Sequence, residues 1–373
     1  MSDEDPGGAA ELERHPRNLI DLGEALPGTG LEATAEALRQ SGPWPEDLRN
    51  TPLILDTDIG GDPDDAIAVA AAARRAPELA LLITTDEIAG DHRARFARHL
   101  LDTLGLPELP VAAGADLGNT RYHCVQGLTP DSVPAQTLDP IAAIREIAAR
   151  SSGPIRWAGM GPMTNLARLC QQAPELLPRL RLTQMGGALR YRDPRQAEHN
   201  LRLDPEAVRT VLGHTAEGRL ATPELITSEI TFVPDTEITA DHPLYRALAS
   251  PGAPEWAGLL VAGMDRWFER FFPATKQHDA LALSAALELP FVDSDPMELE
   301  LDAIGRTTAS EKGTRVRVST SAHYPGFMAW LHDTLDPAAS PAGGARAREE
   351  RGVTAADARG AGRSAVPRIQ EEA

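Results

Sequence analysis

Short apolar runs alternate with helical stretches along most of the chain. Residues 52–57 form a continuous apolar run ending in Asp-Thr, and residues 65–75 follow with helical character. Residues 81–85 repeat the apolar run, and residues 91–104 again predict a helix. Continuous apolar strands that alternate with helices are typical of βαβ units around a parallel sheet. We therefore predict an α/β fold with a Rossmann-like open, mostly parallel sheet and helices on both faces.

Three more apolar runs continue this series at 110–113, 155–158 and 182–185. In an open sheet of this kind the ligand binds beyond the carboxyl ends of the strands. We therefore expect the functional residues in the segments that directly follow these runs.

The two ends of the chain differ in composition from the middle. The first eighteen residues are charged and rich in Gly and Pro, and residues 336–373 are rich in Ala, Gly, Arg and Glu without apolar periodicity. Such segments bury too little apolar surface to offset the entropy lost on ordering. We predict a partly disordered N-terminal extension over 1–50 with a short helix or two, one folded domain over 51–335, and a disordered tail over 336–373.

Charge and composition narrow the partners and the location. The net charge of −19 argues against nucleic acid and anionic membrane surfaces as partners, because phosphates would be repelled. No apolar stretch approaches the roughly 20 residues that span a bilayer, and the first residues lack the basic and apolar regions of a signal peptide. Cys124 and Cys170 are too few for a disulfide scaffold. We expect a cytoplasmic protein that binds a small molecule.

An acidic cluster follows the first predicted strand. Residues 56–66 read Asp-Thr-Asp-Ile-Gly-Gly-Asp-Pro-Asp-Asp-Ala, which places five carboxylates within ten residues. Gly60 and Gly61 allow a tight loop, and the helix predicted from Asp65 points its positive end at the carboxylates. Oxygen donors with little His or Cys nearby suit Ca²⁺ or Mg²⁺ rather than zinc. A solvated acidic turn with an Asp N-cap is the alternative, and the buried strand leading into the cluster weakens it.

Two other classes of site begin with a similar cluster. An EF-hand loop is excluded, because Ile67 stands where that loop needs a bidentate Glu. A haloacid-dehalogenase-type phosphatase also begins with a strand followed by Asp-x-Asp. That class has a Thr or Val where Gly60 stands and needs a Lys for the phosphate, whereas the only lysines here are Lys276 and Lys312. The phosphatase stays open as an alternative.

The acidic segment at 56–66 resembles the Asp-x-Asp-x-Gly-x-Asp-Asp-Ala hallmark of the inosine-uridine preferring nucleoside hydrolase family, in the bacterial branch with a longer Asp-rich motif. Later segments that resemble family motifs follow in the same order: Thr-Thr-Asp-Glu-Ile-Ala-Gly-Asp at 84–91, Gly-Pro-Met-Thr-Asn-Leu-Ala at 161–167, Met-Gly-Gly at 185–187, Ala-Glu-His-Asn at 197–200 with Asp-Pro-Glu-Ala at 204–207, and His-Asp-Ala-Leu-Ala at 278–282. Each match alone is weak, but their common order is specific. The resemblance covers roughly residues 51–335, which would be the catalytic domain.

This resemblance implies calcium-dependent hydrolysis of the N-glycosidic bond of a ribonucleoside, through an oxocarbenium-like transition state, by a homodimer or homotetramer. The roles it implies are metal binding by Asp58, Asp65, Asp279 and the backbone carbonyl of Thr164, removal of a proton from water by Asp58, sugar binding by Asp64, Asp91, Glu198 and Asn200, and protonation of the departing base by His278. Asp62 is left open as the residue that takes the role of Asp64 or Asp65. A catalytically silent sugar- or nucleoside-binding protein of the same fold is a further alternative, and the complete ligand set counts against it.

The chain departs from the family pattern at two places. The second-strand motif usually ends in Gly-Asn, and this chain has Gly-Asp at 90–91. The loop at 189–196 lacks the Asn that normally reaches the ribose and instead contains arginines at positions 190, 192 and 195. We hypothesise that recognition of the 5′ end of the sugar differs and that these arginines accept an anionic group. Glu198 argues against a 5′-phosphate, because it would face that charge.

Aromatic residues are scarce, at 4% of the chain. Tyr122, Tyr191, Trp267 and Phe268 lie in stretches that can wall a pocket for the base. Aromatic side chains belong more commonly to cores than to pockets, so core packing is the alternative for each of them.

Overall fold

The structure, a computed structural model, describes residue 23 and the ranges 26–41, 48–87, 92–118 and 123–339. The chain divides into two compact units, Met1–Arg49 and Asn50–Ala373. In the first unit, helix α1 spans Gly30–Ser41. Most of the tail predicted over 336–373 lies outside the described residues.

The strands of the second unit are, in chain order, β1 Leu53–Thr57, β2 Leu79–Thr84, β3 Val111–Ala113, β4 Ile155–Gly159, β5 Leu180–Met185, β6 Glu224–Ile226, β7 Glu237–Thr239, β8 Ala274–Lys276, β9 Val292–Leu301, β10 Thr307–Ala309 and β11 Thr314–Ala322. The α-helices described in this unit are α2 Asp64–Arg75, α3 His92–Thr103, α4 Pro140–Arg150, α5 Thr164–Gln172, α6 His199–Leu203, α7 Pro205–Ala216, α8 Ser228–Thr231, α9 Pro243–Leu248, α10 Glu255–Arg270, α11 His278–Ala286 and α12 Tyr324–Leu335. Short 3₁₀ turns occupy Pro174–Arg179 and Pro234–Thr236.

Nine strands form one open sheet in the order β10-β9-β11-β6-β5-β4-β1-β2-β3. The pairings from β11 through β3 are parallel, whereas β9 runs antiparallel to both of its neighbours. Strands β7 and β8 form a separate antiparallel pair. The predicted Rossmann-like, mostly parallel open sheet is thereby confirmed.

Alternate residues of the central strand point to opposite faces of this sheet. Leu53 and Leu55 of β1 are fully buried in one hydrophobic cluster together with residues of α2, α10 and α11. Ile54 is fully buried in a second cluster with residues of α4, α5 and α7. Since side chains alternate along a strand, burial on both sides requires the continuous apolar run seen in the sequence. Helices on both faces are confirmed.

The strand order reverses beside β1. The chain passes from β1 to β2 and β3 on one side, and then returns to place β4 on the other side. Asp56 near the end of β1 is paired in register with Gly159 at the end of β4. A reversal of this kind opens a crevice at the carboxyl ends of the two strands, which is where ligands bind in open α/β sheets.

Among the described helices, none combines the length and the apolar character that crossing a bilayer requires.

Candidate active site

A cavity of about 1120 Å³ lies at the carboxyl ends of the strands, with Asp58 after β1, Asp86 after β2 and Met160 after β4 in its wall. Its acidic lining residues come from four separate stretches of the sequence. They are Asp58, Asp62, Asp64, Asp65, Asp86, Glu198 and Asp279. The cavity therefore collects the carboxylates that the sequence disperses over more than two hundred residues.

Three of these carboxylates form a group that fits a metal ion. Asp62, Asp64 and Asp65 each offer an oxygen, and these oxygens lie within 4.8 Å of one another. Burial, and then repulsion from neighbouring carboxylates, raises the pKa of Asp64, Asp65 and Asp279 well above the usual range. A cation bound among them would relieve this repulsion, and a donor set made of carboxylate oxygens suits a hard divalent ion.

Hydrogen bonds hold the acidic loop to two helices. The Thr57 hydroxyl donates to the carboxylate of Asp65 in the first turn of α2. Oδ2 of Asp64 accepts from the backbone nitrogens of His278 at 3.1 Å and Asp279 at 3.2 Å, at the start of α11. Asp64 thus joins the first family-like segment to the last one, although they are 214 residues apart.

Asp56 supports the strand ends and does not line the cavity. Its Oδ1 accepts from Nδ2 of Asn165 at 2.8 Å, and the same nitrogen donates to the carbonyl of Thr84 at 2.9 Å. Oδ1 of Asn165 accepts from the backbone nitrogen of Ala115 at 2.9 Å. Burial raises the pKa of Asp56 to about 8. Asp56 and Asn165 therefore tie the ends of β1 and β2 together beneath the site.

A buried arginine that the sequence analysis did not single out lies within the acidic wall. Nε of Arg93 donates to the carbonyl of Asp86 at 2.8 Å, and Nη1 donates to the carbonyls of Ile59, at 2.9 Å, and Asp58. Nη2 lies 3.6 Å from the Asp86 carboxylate. Burial raises the pKa of Asp58, and the charge of Arg93 opposes that rise. Its position directly after the motif at 84–91 is the signal that pointed to it.

Glu198 and Asn200 lie at the start of α6, where the Glu198 carboxylate caps the helix. Oε1 of Glu198 accepts from the backbone nitrogen of Asn200 at 3.0 Å. Oε2 accepts from the backbone nitrogens of Gly187 at 3.0 Å and Leu201 at 3.2 Å. Nδ2 of Asn200 donates to the carbonyl of Met185 at 3.1 Å. Both side chains line the cavity and are held by the loop that follows β5.

His278 lies in the cavity wall beside the acidic cluster. Its Nδ1 is 2.7 Å from the Thr231 hydroxyl, and its ring stacks on Phe232 with centroids 5.9 Å apart. Burial lowers the pKa of His278 to about 4, with Asp62 opposing this shift and Arg192 adding to it. The imidazole is therefore neutral near pH 7.

Two predicted site residues are not brought into the cavity wall. Thr164, at the start of α5, donates its hydroxyl to Oδ2 of Asp204 at 2.6 Å and is absent from the residues that line the cavity. Asp91 lies outside the described residues. The roles implied for both stay predictions.

The remaining charged or aromatic wall of the cavity is basic and aromatic. It consists of Tyr191, Arg192, His199, Arg202, Phe232, Trp267, Phe271, Phe272 and Lys276. Trp267 stacks on Phe271 with centroids 4.9 Å apart.

The aromatic residues named from the sequence divide between cavity and core. Tyr191 and Trp267 line the cavity. Phe268 packs against the hydrophobic core and lies 5.9 Å from Tyr245, centroid to centroid. Tyr122 lies outside the described residues. Phe271 and Phe272 were missed, because they follow α10 without any motif that marks them.

With this geometry in hand, the chain was compared with known proteins. The family model described as inosine-uridine preferring nucleoside hydrolase matches residues 53–336. The chain belongs to this family. The resemblance drawn from the sequence is thereby confirmed, and so is the predicted class of enzyme, a hydrolase acting on N-glycosyl compounds. Membership also replaces the alternative of a haloacid-dehalogenase-type phosphatase.

Individual relatives agree with this assignment. The non-specific ribonucleoside hydrolase RihC of Escherichia coli O7:K1 is 26% identical over 315 residues, which cover 76% of this chain and 98% of that protein. The purine-preferring ribonucleoside hydrolase from Gardnerella vaginalis has a TM-score of 0.63 at 22% identity, covering 77% of this chain and 98% of its own. The inosine-uridine preferring nucleoside hydrolase from Bacillus anthracis has a TM-score of 0.61 at 20% identity, covering 77% and 99%. The solved structures show that the fold is shared.

The cavity of this nucleoside hydrolase brings together most of the residues named from the sequence. Those that line it are Asp58, Asp64, Asp65, Glu198, Asn200, His278 and Asp279. Asp62, which the sequence left as an alternative, lines it as well.

Proposed function

We propose that the protein hydrolyses the N-glycosidic bond of a ribonucleoside with a calcium ion in the acidic cluster. The observation that supports this most directly is the convergence of Asp58, Asp62, Asp64, Asp65 and Asp279 on one cavity at the reversal of the strand order. In the reaction, the oxygen of water forms a bond to C1′ of the ribose while the bond from C1′ to the base nitrogen breaks. The water loses one proton, the base gains one, and the products are ribose and free base.

Asp58 is the proposed acceptor of the proton from water. It follows β1 directly, lines the cavity and is 9% exposed. Arg93 favours its charged form, and a charged carboxylate is the form that accepts a proton. The surrounding carboxylates favour positive charge on the ribosyl group, which develops in an oxocarbenium-like transition state.

The calcium ion would be held by Asp58, Asp65, Asp279 and the backbone carbonyl of Thr164, with Asp62 as the alternative carboxylate. When bound, it supplies Lewis-acid chemistry, because its charge lowers the pKa of nearby water and attracts hydroxyl oxygens. Asp64, Asp91, Glu198 and Asn200 would bind the hydroxyls of the ribose. A homodimer or homotetramer remains part of this proposal.

His278 is the proposed donor of a proton to the departing base. Its Nδ1 contacts the Thr231 hydroxyl, and its ring lies against Phe232, so the imidazole is held in one orientation. This arrangement leaves the other ring nitrogen for the base.

The test is to incubate a panel of ribonucleosides with the protein, with and without a calcium chelator, and to measure free base by chromatography. Base release that the chelator abolishes is the expected result. Asp279→Asn should lower kcat/KM by about a hundredfold, since the loss of one electrostatic group at such a site costs about 10²–10³ in rate. Asp241→Asn, at a carboxylate that is 91% exposed, is the matched control and should leave kcat/KM unchanged.

Calcium binding is measured separately by the thermal shift on adding calcium. A metal at 100 times its Kd stabilises a folded protein by about 2.7 kcal/mol, and Asp65→Asn should remove most of that gain. No base release with calcium bound would contradict hydrolysis and favour a silent binding protein. Base release that persists in the chelator would contradict the role of calcium.

A further inference from the structure

Cationic side chains gather at the cavity although the protein as a whole is strongly acidic. Arg192, His199, Arg202 and Lys276 all line the cavity, in a chain of net charge −19. We call these four residues the basic rim. A neutral nucleoside carries no charge that would use them.

Arg192 is the member of the basic rim whose charge is most open to a ligand. Its guanidinium carbon lies 4.6 Å from the ring centroid of Tyr191 and 4.4 Å from that of Phe232. Within the described part of the chain it forms no ion pair with a carboxylate, whereas Arg195 of the same loop lies 3.1 Å from Asp193. Aromatic faces hold a guanidinium in place without occupying its N–H groups in its plane.

The other arginine of the basic rim has uncharged polar partners. Nη1 of Arg202 donates to Oε1 of Gln196, and Nη2 lies 3.3 Å from Nδ1 of His199. Lys276 differs, because its ammonium group pairs with Glu237 while it lies 4.7 Å from the ring centroid of Phe232. The basic rim therefore retains positive charge at Arg192 and Arg202 after the carboxylates of the described residues are accounted for.

We propose that the basic rim binds an anionic group, a phosphate or a carboxylate, that the substrate carries outside the ribose ring. This inference rests on the proposed hydrolysis and names its substrate class, anionic ribosides. Arginine binds carboxylate and phosphate through paired N–H groups, and such charge-assisted hydrogen bonds are stronger than neutral ones. Of the three arginines that the sequence analysis considered for this role, Arg192 lines the cavity and Arg190 and Arg195 do not.

The structure removes the objection that Glu198 raised against a 5′-phosphate. Its carboxylate accepts hydrogen bonds from the backbone nitrogens of Gly187, Asn200 and Leu201. Three N–H donors offset much of the negative charge that a phosphate would meet.

The anionic group has two possible positions on the substrate. Arg202 belongs to α6, which also carries Asn200 and is capped by Glu198, the proposed sugar-binding residues. Arg192 lies on Phe232, whose ring also stacks on His278, the proposed proton donor to the base. The shared chemistry is the anion, and the position, at C5′ or on the base, is settled by choosing matched substrates.

The experiment compares kcat/KM within two pairs: adenosine with adenosine 5′-monophosphate, and uridine with orotidine, which adds a carboxylate to the base. The anionic member of at least one pair is expected to be preferred by about tenfold or more, as charge-assisted hydrogen bonds allow. Arg192→Gln should reduce that preference by about tenfold and change kcat/KM of the neutral member by less than about twofold. Arg195→Gln in the same loop is the matched control and should preserve the preference.

Equal or better turnover of both neutral members would overturn the basic rim as an anion site while leaving the proposed hydrolysis intact. A preference for the anion that Arg192→Gln and Arg202→Gln both leave unchanged would overturn it as well. If no riboside releases its base, the proposed hydrolysis fails, and equilibrium dialysis of the four compounds decides the inference. Binding of an anionic member no tighter than its neutral partner would then overturn it.

Discussion

At the scale of single residues, the acidic cavity depends on a counter-charge inside the protein. Arg93 contacts the carbonyls of Asp58, Ile59 and Asp86 and lies near the Asp86 carboxylate. It therefore fixes the backbone of two loops, those after β1 and β2, and offsets part of their negative charge. A buried carboxylate that loses its cationic partner is left uncompensated at a high cost.

Arg93→Met tests this role. The free energy of unfolding should fall by about 3 kcal/mol, because breaking one side of a buried ion pair costs about 3–5 kcal/mol. Chemical denaturation measures this change directly. Arg246→Met is the matched control, since Arg246 and its partner Asp241 are 65% and 91% exposed, and an exposed pair contributes less than about 1 kcal/mol. Equal losses in the two variants would contradict the role given to Arg93.

The sequence could predict the carboxylates of the site but not the side chains that approach them. Asp58, Asp64 and Asp65 lie on a loop that one strand and one helix position locally, so their residue types and spacing carried the information. Arg192 and Phe232 come from distant segments, and their contact depends on packing that no local pattern encodes.

At the scale of elements, the parallel strands were predicted well and the antiparallel ones were not. Strand β1 was predicted over 52–57 and spans Leu53–Thr57, because it is buried on both faces and reads as a continuous apolar run. Strand β9, Val292–Leu301, has many exposed positions and contains acidic residues and a proline. A strand with one solvated face carries no such run, and its place in the sheet is fixed by pairing with β11.

Helix α6 gives a prediction at this scale, because Glu198 both caps the helix and lines the cavity. Glu198→Ala should lower the free energy of unfolding by about 1 kcal/mol, the usual value of a lost N-cap. Glu198→Gln keeps an acceptor oxygen and should cost less than half as much, while both variants lose the charge in the cavity. Denaturant unfolding of the three proteins compares the two costs. Equal destabilisation by Gln and Ala would show that the capping geometry is not what Glu198 contributes.

At the scale of the whole molecule, a buried histidine links stability to pH. His123 is 8% exposed, and its Nε2 is buried without a hydrogen-bond partner in the described part of the chain. Burial lowers the pKa of His123 from 6.5 to about 4. The unfolded chain therefore binds this proton more readily than the folded one. The stability linked to His123 is fully present above about pH 6.5 and is lost as the pH falls toward 4.

His123→Gln should flatten the dependence of unfolding free energy on pH between about 6.5 and 4. The difference between wild type and variant should change by up to about 3 kcal/mol across this range, at about 1.4 kcal/mol per pKa unit. Urea unfolding at several pH values measures it, with His332→Gln as the control for the loss of an imidazole. A wild-type curve parallel to that of His123→Gln would count against this assignment.

The sheet is bounded on both sides by strands of three residues, Val111–Ala113 and Thr307–Ala309. An edge strand offers unpaired backbone groups to any extended segment that meets it, and a short edge offers few. A neighbouring copy therefore gains little by adding its own sheet to this one, which protects the protein from growth into intermolecular β-structure. The proposed homodimer or homotetramer would accordingly be built from contacts between helices and loops.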